Sequence, residues 1–363
     1  MTTNGFAEYI WLDGTEPTQQ LRSKARFVAL PDAPAANDFP GWGFDGSSTG
    51  QAAGDDSDCL LEPVHIAHDP RRGKGNYLVL CEVLNADGTP HCTNHRAELR
   101  RTLDTAGAGA QPWAGFEQEY TLYHAGRPLG FPADGYPAPQ GPYYCSVGAT
   151  TAFGRELADA HARACLEAGL SIYGINAEVM PGQWEFQIGY RGIDREPVDV
   201  LTMSDQLWLA RFLLMHEAER FGWAVSFDNK PMAGDWNGAG MHTNFSTAQT
   251  RDRDGGQDAL KSAIAALSRR HEDHIARYGA GLADRLTGLH ETCRIDEFRS
   301  GIADRGASIR IPASVAVKGH GYLEDRRPGA NADPYQVATC LVETVCIGRK
   351  TEHLLSERAT AAE

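Results

Sequence analysis

The segment GFEQEYTL, residues 115–122, sets two glutamates two positions apart within an otherwise apolar run. In an extended chain alternate side chains share a face, so Glu117 and Glu119 point one way while Phe116, Gln118 and Tyr120 point the other. Two carboxylates about 4 Å apart at an effective dielectric near 20 repel by roughly 4 kcal/mol. A fold that contains this strand must protonate one acid, bring an arginine to it, or hold a divalent cation between the two. The chain has 363 residues, 42% of them hydrophobic and 9% aromatic, enough for real cores and for two domains.

Further acids follow the same logic. NAEVMPGQWEFQIG carries Glu178 and Glu185 on either side of a Pro-Gly turn, so it reads as a hairpin whose adjacent strands bring the two together in a register the sequence leaves open. His242 follows the glycine-rich bend of WNGAGMHTNFS, which lets backbone approach a ligand closely, and Glu324 opens EDRRP. Singly, these are an exposed strand acid, a core histidine, and half of a surface ion pair with Arg326 or Arg327. If they converge with Glu117 and Glu119, five carboxylates and one imidazole form a hard, oxygen-rich ligand set that selects Mg2+ or Mn2+. A zinc hydrolase would show more histidine or cysteine, and there is no HExxH.

Arg285, Arg305, Arg310 and Arg326 cluster in the last third of the chain, in Gly-rich settings. Their guanidinium forks suit carboxylate and phosphate. Cations and arginines together imply phosphoryl transfer, although no GxxxxGK[ST] or kinase signature is present. The 34 basic and 48 acidic residues leave a net charge of −14, which argues against nucleic acid or an anionic membrane as partner. No run of 18 apolar residues occurs and MTTNGFAEYIWLDG lacks the features of a secretion signal, so a cytoplasmic protein is expected. The eight cysteines include no CxxC pair and read as reduced thiols, with Cys165, Cys340 and Cys346 as core filler.

Strand-like runs EYIWLDG, ARFVAL and YLVLCEVL, separated by a Gly/Asp/Ser/Pro-rich passage from Pro34 to about Asp58, predict a small β-rich domain over residues 1–100. Helices are expected over Asn94–Thr105, Thr151–Ala168, Ser204–Phe221, Gly256–Tyr278 and from Asp333 to about Ile347, making residues 101–363 an α plus β region.

Eight ordered segments carry a resemblance to type II glutamine synthetases over nearly the whole chain. They are FDGSST (44–49), FEQEYTL (116–122), GPYYC (141–145), NAEVMPGQWEFQ (176–187), DWNGAGMHTNFST (235–247), RLTGLHET (285–292), RGASIRIP (305–312) and YLEDRRP (322–328). The resemblance implies an α+β fold: an N-terminal β-grasp-like domain, then a larger α/β catalytic domain around a curved antiparallel sheet. It implies that Glu119, Glu178 and Glu185 hold one cation and Glu117, His242 and Glu324 another. It also implies the reaction, in which L-glutamate, ATP and ammonia give L-glutamine, ADP and phosphate through γ-glutamyl phosphate. Asp45 resembles the base of the ammonium pocket, with Ser48 and Tyr144 lining it, and Glu291 the flap acid. Asn237, Gly238, Arg285 and Arg305 match glutamate-binding positions. Arg310 and Arg326 match phosphate positions, and Trp113, Asn244, Ser246, Arg251 and Tyr322 nucleotide positions. The family places Asp45 across a subunit boundary, implying a homo-oligomer of two pentameric rings.

Three departures bear on the substrate. The stretch YRGIDREPVDVLT after Gly189 is longer than the family's usual connection and puts Tyr190 where proline is usual; Ser146 stands where glycine is customary; and Asp304 replaces asparagine before Arg305. Ordinary drift in a glutamine-forming enzyme is one reading. The others are a γ-glutamyl ligase for another small amine, a non-catalytic regulatory homologue, and a carboxylate-rich metal hydrolase that needs no ATP. A regulatory homologue would have lost a metal glutamate or Asp45, and none is missing.

Overall fold

Strand β1 (Thr3–Leu12) buries both of its faces. Ala7, Tyr9 and Trp11 point into a core of the first sheet, while Ile10 points into the main core of the molecule. Strand β5 (Tyr77–Asn85) alternates likewise, Val79 and Cys81 one way and Leu78 and Leu80 the other. With β2 (Leu21–Leu30), β3 (Trp42–Asp45) and β4 (Asp58–His68), these form a sheet in the order β2-β1-β5-β4-β3, antiparallel except for the parallel β1–β5 pair. This computed structural model describes residues 3–193, 196 and 198–348.

The Gly/Asp/Ser/Pro-rich passage from Pro34 to about Asp58 predicts a loop where the structure forms β3 and begins β4. β3 is four residues long and lies on the sheet edge. The pattern of β4 is broken at Pro63, which lacks an N–H to donate, and the pairing with β5 shifts register between Pro63 and His65.

The second sheet is built on β6 (Trp113–His124), β7 (Arg127–Pro128), β8 (Ile172–Ala177), β9 (Gln183–Ile188), β10 (Ala224–Ser226), β11 (Met241–Ser246), β12 (Ser300–Ile302), β13 (Ile309–Ile311) and β14 (Leu323–Asp325). Its order is β12-β13-β14-β11-β6-β9-β8, with β7 and β10 pairing on the far end of β6. Only the β12–β13 pair is parallel among the described strands of this sheet.

Helices α1 (His95–Ala106), α2 (Arg155–Ala168) and α3 (Val200–Ala218) are followed by α4 (Ala248–Arg251), α5 (Gly256–Arg269), α6 (His271–Ile275), α7 (Leu282–Arg285), α8 (Ala313–Lys318) and α9 (Pro334–Val342), which continues as a π-helical turn to Ile347. Asn94 caps α1, its side chain accepting from the Ala97 N–H. Helix α3 begins four residues before the expected Ser204 because Asp199 is the cap, accepting from the Thr202 N–H at 2.9 Å. Helix α2 begins at Arg155 rather than Thr151, behind Gly154 at φ 92°. The expected long helix from Gly256 breaks at Arg270 into α5 and α6.

Helix α3 packs behind β6 with most of its surface buried. Arg211 is the largest charged group there. Its guanidinium donates to Gln118 Oε1 and to the carbonyls of Ala330 and Ala332, with no carboxylate among its hydrogen-bond partners in the described residues. Gln118 is thus gripped from behind, between the two glutamates that point the other way. Cys165, Cys340 and Cys346 are buried. No helix among the described residues is long and apolar enough to cross a membrane.

Candidate active site

Pairing register places the acids. On β6, Glu117 stands opposite His242 of β11 and Gln187 of β9, and Glu119 stands opposite Glu185 of β9. Glu185 in turn faces Asn176 of β8, while Glu324 of β14 faces Asn244 of β11 and Arg310 of β13. Directly paired residues share a sheet face, so one face carries this whole row. Glu178 lies just past β8, its N–H bonded to the Gln183 carbonyl across the expected hairpin turn. Gly182 makes that turn at φ 73°, where an added Cβ would sit 2.6 Å from the Leu129 carbonyl oxygen.

Two clusters result. Ligand atoms of Glu119, Glu178 and Glu185 lie within 4.8 Å of one another, as do those of Glu117, His242 and Glu324. Burial, and then the Glu119 charge, push the Glu178 carboxyl up to about 8. Burial and the charges of Glu117, Glu119 and Glu178 hold Glu185 well above the ordinary range, and burial raises Glu119. Three buried carboxyls pushed upward together, lacking an arginine hydrogen bond among the described residues, fit a divalent cation, whose charge reverses that repulsion. Their hydrogen bonds orient them without neutralising them. Asn176 Nδ2 donates to Glu178 at 2.9 Å, Gln187 Nε2 to Glu185, and the Gly240 N–H to Glu119.

The second cluster is partly neutralised. Arg310 and Arg326 both donate to Glu324, the latter at 2.5 Å. The reading of Glu324 as an ion-pair partner of Arg326 therefore holds, but the pair is buried, and Arg327 pairs with Asp325 instead. His242 Nδ1 lies 3.7 Å from Glu117 and 3.8 Å from Glu324, while Arg285 donates to its Nε2 at 3.0 Å. Burial and the Arg326 and Arg285 charges drive the imidazole well below its usual range, so it is neutral, the form that ligates metals. Glu117 also accepts from Asn244 Nδ2 at 2.9 Å.

These groups line a cleft of about 610 Å3. Tyr144, Asn237, Gly238, Arg285, Glu291, Arg305, Arg310, Tyr322 and Arg326 line it as well. The GPYYC segment reaches it because the Gly141 and Cys145 N–H groups bond to the carbonyls of Val179 and Ala177, laying Tyr144 beside the hairpin. What the glycine-rich bend admits in this structure is a side chain: an added Cβ on Gly238 would lie 2.8 Å from Arg285 Cγ, and one on Gly240 2.3 Å from Arg285 Nη2. Glu291 and His290 sit at φ 60° and 52°, a strained conformation for residues with side chains, and Arg305 Nη1 is 3.6 Å from the Glu291 carboxylate.

Six of the sequence-derived residues do not line this cleft. Trp113, Ser246 and Arg251 gather at the adjoining end of β6 and β11, Arg251 stacked 3.7 Å over the Trp113 ring and bonded to Ser246 Oγ. Asn244 stands between the two groups through its bond to Glu117. Asp45 and Ser48 are exposed on the first sheet, where Asp45 accepts from the hydroxyls of Ser47 and Ser48 at 2.6 Å; those bonds lower its pKa. Among the departures, Tyr190 lies 5.5 Å from the Trp113 ring, and Ser146 does not line the cleft. Asp194, Arg195 and Pro197 of the long connection lie outside the described residues.

Sequence reasoning missed Gln140, Tyr173, Asn176, Gln187, His290 and Thr292. Asn176 and Gln187 were accessible to it, since each lies two residues from a site glutamate and so on the same strand face. Gln140 was not. It joins two loops, its Oε1 accepting from the Asn237 N–H and its Nε2 bonded to His290.

Fold and cleft define a class: a two-sheet α+β enzyme whose site pairs carboxylates suited to divalent cations with arginines suited to anionic substrates. Comparison narrows it. Residues 4–86 match the glutamine synthetase β-Grasp domain and residues 93–284 the glutamine synthetase catalytic domain. A glutamine synthetase of Streptomyces viridochromogenes is 55% identical over 343 residues, covering 94% of this chain and 96% of the relative. One of Neurospora crassa is 53% identical over 350 residues, covering 95% and 92%. A chloroplastic one of Chlamydomonas reinhardtii is 52% identical over 352 residues, covering 94% and 90%. The cryoEM structure of Plasmodium falciparum glutamine synthetase superposes with TM-score 0.76 over 96% of this chain and 72% of that one; at 16% identity it carries the fold alone. The chain belongs to the glutamine synthetase family, in its type II branch.

Proposed function

We propose that this enzyme ligates ammonia to the γ-carboxylate of L-glutamate, using ATP and passing through γ-glutamyl phosphate. The observation that carries the reading is the single cleft in which two cation-competent clusters meet four arginines. A carboxylate lacks a good leaving group, so its γ-oxygen first attacks the terminal phosphorus of ATP and releases ADP. Ammonia then adds to the acyl carbon, and phosphate leaves.

Glu119, Glu178 and Glu185 would hold one divalent cation and Glu117, His242 and Glu324 a second. Mg2+ or Mn2+ bound there supplies positive charge against the triphosphate oxygens. Arg310 and Arg326 stabilise charge on the transferred phosphoryl group. Asn237, Gly238, Arg285 and Arg305 bind and orient glutamate. Trp113, Asn244, Ser246, Arg251 and Tyr322 receive the nucleotide.

Asp45 binds ammonium and takes its proton, with Ser48 and Tyr144 lining the pocket. The serine hydroxyl bonds favour its anionic form, which attracts the cation. Asp45 lies outside its own chain's cleft, in keeping with the family resemblance, which places it across a subunit boundary with residues 1–100 as the donor domain and 101–363 as the catalytic one. The family resemblance implies a decamer of two pentameric rings. Glu291 closes over the acyl phosphate, excludes water and helps deprotonate the adduct. We place the enzyme in the cytoplasm on the reduced-thiol reading of its cysteines.

The test is phosphate release from purified protein with glutamate, MgATP and a panel of amines. Ammonium is expected to give the highest kcat/KM. Preference for another small amine would move the assignment to a γ-glutamyl-amine ligase, and ATP-independent activity would move it to a hydrolase.

A further inference from the structure

Arg305 projects from a turn held on both sides by a neighbouring ion pair. Asp304 Oδ1 accepts from the Gly306 N–H at 2.9 Å. Arg299 Nη2 donates to the Gly306 carbonyl at 2.6 Å and lies 3.4 Å from Asp304 Oδ2. Arg299 is itself fixed at the mouth of the β12–β13 ladder, where its carbonyl accepts from the N–H groups of Ser308 and Ile309. Gly306 leaves the space this needs, since an added Cβ there would sit 2.7 Å from Arg299 Nη2. Beyond the turn, the Arg305 carbonyl accepts from Arg326 Nε at 2.9 Å and its guanidinium lines the cleft.

An unpaired carboxylate at position 304 would act twice against an anionic substrate. It would repel the substrate directly, and it would attract the guanidinium of the next residue away from the cleft. We propose that Arg299 and Asp304 are positioning residues for Arg305, with Arg299 cancelling the Asp304 charge and clamping the turn through Gly306. The acid that stands before Arg305 is thereby made compatible with glutamate binding. This rests on the reading of Arg305 as a glutamate-binding group.

The test measures KM for glutamate, KM for ATP and kcat in the full-length enzyme. Arg299→Ala is expected to raise the glutamate KM roughly three- to fivefold, the scale of a partly exposed ion pair, with the ATP KM unchanged. Asp304→Asn alone leaves the glutamate KM near its starting value, because asparagine keeps the acceptor for the Gly306 N–H. Adding Asp304→Asn to Arg299→Ala restores most of the lost affinity. Gly306→Ala, which displaces Arg299 without removing it, raises the glutamate KM alone but not in the Arg299→Ala background. An unchanged KM in Arg299→Ala, or no rescue by Asp304→Asn, overturns the inference. Arg305→Ala is the reference: if it leaves the glutamate KM unchanged, the site assignment itself fails, and this inference fails with it.

Discussion

Glu119 of β6 and Glu185 of β9 are direct partners across an antiparallel ladder, and Glu178 joins them from the end of β8 with its ligand atom within 4.8 Å of theirs. Three acids in one buried spot make the protein's stability depend on both protons and cations.

Burial and the Glu119 charge raise Glu178 to about 8 from an ordinary value of 4.5. Without a cation, the native state therefore holds protons that the unfolded chain has already released. Stability from this group is full below about pH 4.5 and is lost as pH rises toward 8. In chelator, Tm should fall across this interval, and Glu178→Gln should flatten the fall. Mg2+ or Mn2+ should raise Tm more at pH 8 than at pH 5 and release protons on binding at pH 6 to 7. A cation effect equal at both pH values would contradict the site.

Asp45 makes a different claim on pH. It must be anionic to hold ammonium, and the hydroxyls of Ser47 and Ser48 hold its pKa low. Ser48→Ala removes one such bond, so the acid limb of kcat/KM for ammonium should move to higher pH. Asp45→Ala should leave ADP formation from ATP and glutamate partly intact while cutting ammonia-dependent turnover by roughly 10²-fold or more. If both partial reactions fell together with assembly unchanged, Asp45 would not be the base.

Arg211 tests the scaffold. Its buried guanidinium serves Gln118, Ala330 and Ala332 without a carboxylate partner, and burial lowers its pKa to about 9. Arg211→Met strips the donor from Gln118 Oε1 and from the Ala332 carbonyl, at about 1–3 kcal/mol for each left bare, while the Ala330 carbonyl keeps its bond from Gln118 Nε2. Tm should fall by several degrees, with cation affinity falling too, since Gln118 lies between Glu117 and Glu119. An unaltered Tm would show that these acceptors find other donors.

The acids of the site were legible because period-two alternation in GFEQEYTL and the Pro-Gly turn of NAEVMPGQ are local signals. Their meeting was not, because the β6–β9 and β6–β11 registers depend on pairings made far along the chain. Strand β4 carries a weak signal because Pro63 and the register shift between Pro63 and His65 interrupt its alternation. Gln140 and His290 escaped because they meet across 150 residues, loop to loop, with no periodicity to mark them. The arginines were legible as residue types. Only the structure shows that Arg285 rests on Gly238 and Gly240 and that Arg299 answers Asp304.

Glu291 sits in the left-handed region at φ 60°, beside His290 at 52°, on a loop tied to the cleft through the Gln140–His290 and Arg326–Glu291 hydrogen bonds. Two successive strained residues cost about 1–3 kcal/mol each and are tolerated only where the surroundings fix them. In the proposed flap role this loop closes over the acyl phosphate and opens for release. Glu291→Ala removes the carboxylate but keeps the loop, so water should reach the intermediate. Phosphate release should then exceed glutamine formation, with kcat for glutamine falling about 10²-fold or more. Gln140→Ala removes one of two ties on His290, leaving its 3.2 Å contact with Asp235 and the Glu291 carboxylate in place, so it should give the same uncoupling more weakly, with glutamine formation largely retained. Tight coupling of phosphate to glutamine in Glu291→Ala would remove the flap role, and uncoupling in Glu291→Ala alone would place the water barrier in the carboxylate rather than in the loop's tether.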